Sequence, residues 1–252
     1  MTPAPSIRAL GLLTGATSSG PVGSLGRPER AGERFRRATR ECLLALAAVD
    51  AMLEDGREAR EAIAGDRTAL LYVTAAAYGA SNREFITRGG GGTHFAYTAP
   101  VVVPAEVAIE FGVTGPYAIF VGGAPATLRA IRHAAALLDD AVCDRALVLA
   151  VEIFDECADL FARGGRLLRR PLVEAAGCLW LERGAGDLAF ESRREARAGS
   201  GSGPELLSCA PLAELDASRR RPAAEPLALS GRWRGETARL IWPRRPSRSS
   251  VA

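Results

Sequence analysis

The chain has 252 residues, is 48% hydrophobic and carries a formal net charge of +3. That length and apolar content can bury one sizeable core, while so small an excess of basic charge argues against a nucleic-acid binder. Every basic residue is an arginine, and those concentrated near the C-terminus, from Arg219 to Arg248, read more plainly as a solvated arm than as a surface for acidic partners.

In chain order, Ile7 to Leu13 reads as a first strand, followed by a Gly/Ser/Pro loop from Thr14 to Pro28. Phe35 to Leu53 reads as a helix with Cys42, Leu43, Leu46, Val49 and Met52 along one face and Gly56 as its stop. Leu70 to Val73 is a short buried strand, and a loop carrying Gly89 to Gly92 leads to a helix near Pro104 to Phe111. Tyr117 to Val121 is an apolar, partly β-branched run of strand length. Gly122 and Gly123 permit a tight turn, and Pro125 suits the first turn of an apolar helix that runs from Ala126 to Leu138. Ala146 to Val151 is a strand buried on both faces, Val173 to Leu181 is the last long strand, and Leu188 to Glu191 is expected to pair beside it. Strands alternating with helices give an α/β domain with a mostly parallel mixed sheet and helices on its faces.

After Arg193 the composition changes. Residues 199–204 form a Gly/Ser linker, and the remainder is rich in Pro and Arg. The chain is therefore divided into a domain over 1–193 and a linker and tail over 194–252, the tail partly docked or disordered. Leu206, Leu207, Leu212 and Leu215 are read as a short docking helix, and Trp233, Leu240, Ile241 and Trp242 as an edge strand.

The five cysteines, Cys42, Cys143, Cys157, Cys178 and Cys209, are scattered and odd in number, which points to reduced thiols in the cytoplasm. They form no metal-ligand pair, so neither a metal nor a cofactor is expected. The apolar run from Ala9 to Leu13 is too short for a signal-peptide core or a membrane span. Gly89 to Gly92 lacks the Lys and Ser/Thr of a phosphate-binding loop and is read as a mobile loop. Of the two histidines, His133 lies on the helix after the Gly-Gly turn and His94 follows the Gly-rich loop.

A strand, a sharp glycine turn and a helix aim backbone N–H groups at one spot, where enzymes often carry a Cys or Ser stabilised by the positive helix end. Here the spot carries Ala124. The segment resembles the N-terminal half of the β-ketoacyl synthases, the condensing enzymes of thiolase fold. Gly115-Pro116 is similar to the Gly-Pro before their nucleophile strand. Counted from that pair, the reactive Cys falls on Ala124 and the small hydroxylated positions on Pro125, Ala126 and Thr127, with Leu128, Ala130 and Ile131 continuing the apolar helix. Glu174 to Glu182 resembles the family's Glu-Gly-Ala-Gly strand ending in Leu-Glu. Arg34-Phe35 with its helix, then Thr68 to Thr74, resembles the first helix and second strand. The resemblance covers residues 6 to 192 in the family's order.

The resemblance implies a thiolase-like half and a chemistry that this chain lacks. Members continue with a second βαβ repeat that supplies two histidines and a lysine, and about 50 residues after the linker are too few for crossover units of about 30 residues each. Condensation needs a thiolate and two imidazoles; no catalytic residue is assigned. Cys157 is the one candidate, disfavoured as a thiolate by Glu152, Asp155 and Glu156. Gly122, Gly123, Ala124 and Thr127 remain as acyl-binding candidates, with a plain tight turn and a Thr bonded within its own helix as the bland alternatives. In the family the strand before the nucleophile pairs with its counterpart across a two-fold axis, which implies Tyr117, Ala118, Ile119 and Phe120 as a dimer strand. The reading is a degenerate, non-condensing accessory subunit of a fatty-acid or polyketide-type pathway, inactive by itself, paired with a second copy or a complete ketosynthase, with an acyl carrier protein as a further partner. The alternatives are an acyl-binding or acyltransferase component of a composite site, and a structural remnant without ligand.

Overall fold

The apolar runs meet in one five-stranded sheet whose two faces build two cores. In the computed structural model the described residues are 2–15, 22–75, 85–87, 89, 98–154, 171–194, 204–220 and 226–243. They form strands β1 (Thr2–Pro3), β2 (Ser6–Thr14) and β3 (Val22–Gly23), helix α1 (Arg40–Gly56), β4 (Thr68–Thr74), α2 (Val102–Phe111), β5 (Tyr117–Val121), α3 (Ala124–Asp139) and β6 (Arg145–Glu152). β7 (Leu172–Val173), β8 (Ala175–Glu182), β9 (Asp187–Arg194), α4 (Ala210–Arg219), β10 (Leu227–Trp233) and β11 (Glu236–Trp242) follow. The main sheet has the order β2-β8-β6-β4-β5, with β8 antiparallel to both neighbours and the other four strands running one way.

Successive side chains point to opposite faces of a strand, and the burial pattern follows that period. Leu70, Tyr72, Leu147, Leu149, Cys178 and Trp180 pack with α1 and α2. Leu71, Val73, Val148, Ala150, Leu179 and Leu181 pack with α3 and α4. Strands β4 and β6 are therefore buried on both sides. A second, antiparallel sheet of order β1-β9-β11-β10 contributes Leu188, Leu229, Ala238, Leu240 and Trp242 to the α3 side, so α3 lies between two sheets. Among the described residues no helix is long and apolar enough to cross a membrane.

Four elements differ from the sequence reading. Leu188 to Glu191 does not pair beside β8, because both edges of β8 are taken by β2 and β6; β9 pairs instead with β1 and β11. The helix expected from Phe35 is a 3-10 turn over Glu33–Arg37, followed by extended Ala38 and Thr39, and α1 begins only at Arg40. That break sets Arg40 at the helix start, where its guanidinium reaches Glu174 at 2.6 and 2.8 Å. The strand expected over Val173 to Leu181 is interrupted at Glu174, whose backbone bonds Gly23 and Gly15 instead. In the tail, Leu207–Cys209 is a 3-10 turn leading into α4; Leu240, Ile241 and Trp242 lie on β11, which is interior to its sheet, whereas Trp233 lies on β10 at the edge, as expected.

Candidate functional site

β5 runs parallel to β4, Tyr72 opposite Ile119 and Thr74 opposite Val121, and then turns. Gly122 has φ 153, in the region that favours glycine, and donates its N–H to the Thr74 carbonyl at 2.9 Å. Gly123 is the extended N-cap of α3, and Pro125 sits in the first turn, where its missing N–H costs nothing. This brings Gly122, Gly123, Ala124 and Thr127 to one place at the positive end of a 16-residue helix.

The place is occupied by the chain itself. Ala124 is 5% exposed. A Cβ on Gly231 of β10 would stand 2.5 Å from the Ala124 methyl, and one on Gly123 would stand 2.8 Å from the Trp233 ring. Trp233 packs with Phe154, Leu172, Leu207 and Ala75 in a small apolar cluster. The Thr127 hydroxyl is fully buried and donates to the Ser208 carbonyl at 2.5 Å, neither capping α3 nor bonding within it. The Ser208 hydroxyl donates in turn to Glu152, which also accepts the Ala75 N–H at 2.6 Å.

Two buried carboxylates stand close to this turn, and the sequence reading gave neither a structural role. Glu152 ends β6 and Glu174 precedes β8, in strands paired Glu152 to Ala175. Glu174 accepts both Arg40 nitrogens, the Leu25 N–H at 2.8 Å and the Phe154 N–H at 2.7 Å. Burial by itself would raise its carboxyl, but the bonds from Arg40, Phe154 and Leu25 outweigh that and hold it below the ordinary value of 4.5. The available signal was a single acid at the border of an apolar run.

No described cysteine supplies a nucleophile. Burial pushes the Cys42 thiol up to about 12 and raises Cys143, Cys178 and Cys209 as well, so all four stay protonated near neutral pH. Cys157, His94 and Gly90 to Gly92 lie outside the described residues. His133 is exposed on the outer side of α3, its ring 5.9 Å from that of Phe120. Among the described residues no group of His, Cys, Asp and Glu is arranged to hold a metal ion. Tyr117 is 65% and Val121 55% exposed, whereas Ala118, Ile119 and Phe120 are half-buried.

No curated protein matches the chain by sequence. The structure of a Xenorhabdus doucetiae ketosynthase (ApeO) in complex with its chain length factor (ApeC) matches at 15% identity and a TM-score of 0.63, over 96% of this chain and 99% of that one. The ishigamide ketosynthase/chain length factor matches at 17% identity and a TM-score of 0.62, over 77% and 68% of the two chains. A variant of Xanthomonas campestris OleA matches at 11% identity and a TM-score of 0.58, over 95% and 98%. These likenesses show a thiolase-like fold. The family description "Beta-ketoacyl synthase, N-terminal domain" matches residues 29–169, more than half of the chain and the stretch that holds α1, β4, β5, α3 and β6. The chain belongs to the β-ketoacyl synthase family, through that N-terminal domain.

Proposed function

We propose that this chain is a non-condensing accessory subunit that pairs with a complete ketosynthase in a fatty-acid or polyketide-type pathway. The observation that carries the reading is the turn itself: Ala124 stands where the family's Cys belongs, and every described thiol is buried and protonated. Two of the matched structures pair a ketosynthase with a chain length factor, which supports a heterodimer. In this reading β5 is the pairing strand, an acyl carrier protein meets the complex through the partner, and the complex works in the cytoplasm. The alternative of an acyl-binding half-site gains nothing from a turn covered by Gly231 and Trp233.

The test is co-expression with a complete ketosynthase from the same genome, followed by light scattering on the purified material. A one-to-one complex is expected, lost on Val121→Lys. A monomer that forms no complex would sink the heterodimer, and a stable homodimer would assign the β5 edge to a second copy of this chain.

A further inference from the structure

The hairpin of β10 and β11 is fixed to α3 and its surroundings by both apolar and polar contacts. Leu229 and Leu240 are fully buried against α3. Glu236 pairs with Arg129 of α3, and the Trp242 indole N–H donates to the Pro5 carbonyl at 2.9 Å. Along its length β11 is paired on both sides, to β10 and to β9. This hairpin is part of the core and no loose lid. Its two residues at the turn are fitted to it: Gly231 has no room for a methyl beside Ala124, and the Trp233 ring lies on Gly123.

We propose that the hairpin is a permanent occupant of the acyl position. Trp233 takes the apolar space over the turn, Gly231 lies on the residue that would carry the thioester, and Ser208 takes the hydroxyl of Thr127. The chain is thereby closed to acyl groups at this turn, whether they arrive on a carrier or are passed from a partner, and closed for a reason separate from the missing thiol. The inference rests on the family assignment that makes Ala124 the nucleophile position, and it stands or falls independently of any partner at β5.

The test is Ala124→Cys in the full chain, with and without Trp233→Ala, labelled by iodoacetamide and read by peptide mass. Cleavage at arginine yields residues 89–129 as one peptide with no native cysteine, so the introduced thiol is read alone. In the native chain it is expected to label about 100-fold more slowly than in urea, and adding Trp233→Ala is expected to raise the native rate about tenfold. A native rate within about tenfold of the urea rate overturns the proposal, and no response to Trp233→Ala removes the role given to that ring. If Ala124→Cys does not fold, Gly231→Ala answers instead. Its melting temperature should fall about 5 °C below that of Gly26→Ala, whose added methyl meets nothing within 4 Å, and equal values would overturn the proposal. Loss of partner binding with labelling still suppressed would count against the accessory-subunit reading alone.

Discussion

The two edges of the main sheet are finished in opposite ways. Along β2 the register shifts between Ile7 and Ala9, the Leu10 N–H is taken by Asp55 at 2.9 Å, and Asp55 is held by Arg219 of α4 at 2.8 Å. Arg8 adds an ion pair with Glu58. Bulges and charges of this kind are how proteins keep an edge from pairing further. Along β5 there is neither: Tyr-Ala-Ile-Phe-Val carries no charge, keeps an unbroken register with β4, and leaves Tyr117 and Val121 in the open. One edge is closed against strand addition, and the other is left fit for it.

The largest expected effect that bears on this contrast comes from Arg40, which ties the β2 side together through Glu174. Arg40→Ala should cost about 3–5 kcal/mol in urea unfolding at neutral pH, because it strands a fully buried carboxylate. The sign of its pH dependence follows from the depressed carboxyl. A depressed folded value contributes stability above the ordinary value of 4.5, and that stability is lost as pH falls through the lower folded value. The gap between wild type and Arg40→Ala should therefore shrink as the pH falls from 4.5 towards the lower folded value; a constant gap would mean that the charge of Glu174 is not what Arg40 supports.

A smaller loss, about 1–3 kcal/mol by the same measurement, is expected for Asp55→Ala, which leaves the Leu10 N–H without its acceptor. Asp55→Asn keeps an acceptor and should recover part of it. If both variants match wild type, the β2 edge is not capped as described. The smallest effect on stability, within about 0.5 kcal/mol, is expected at the opposite edge for Val121→Lys, since the residue is half in solvent already. Its effect should appear in association instead. A large stability loss there would show that the edge is already supported within the chain.

Much of the site was legible because its signals are local. Gly122-Gly123 and Pro125 punctuate the passage from a short apolar run of strand length to an apolar helix, and β5, the turn and α3 follow within a residue or two. The unbroken apolar runs of Leu70 to Val73 and Ala146 to Val151 likewise gave buried strands, the second read as covered on both faces. The partners of these elements were not legible. β9 reads as a neighbour of β8 by proximity in sequence, and only the β2 pairing shows that β8 has no edge to offer. Trp233 reads correctly as an edge-strand residue, but its seat on Gly123 was hidden because it depends on a contact across more than a hundred positions. The buried, fully bonded role of Glu152 and Glu174 was not legible, because the donors that satisfy them come from Arg40, Ser208 and backbone N–H groups elsewhere in the chain.

The fit between Ala124 and Gly231 also bears on history. Two residues in contact do not change independently: once position 231 had settled against a methyl group, a larger side chain at position 124 would be selected against on folding alone, whatever chemistry it offered. A larger side chain at position 124 would therefore need coordinated changes at a helix start and on a strand more than a hundred positions away, and a new place for Trp233.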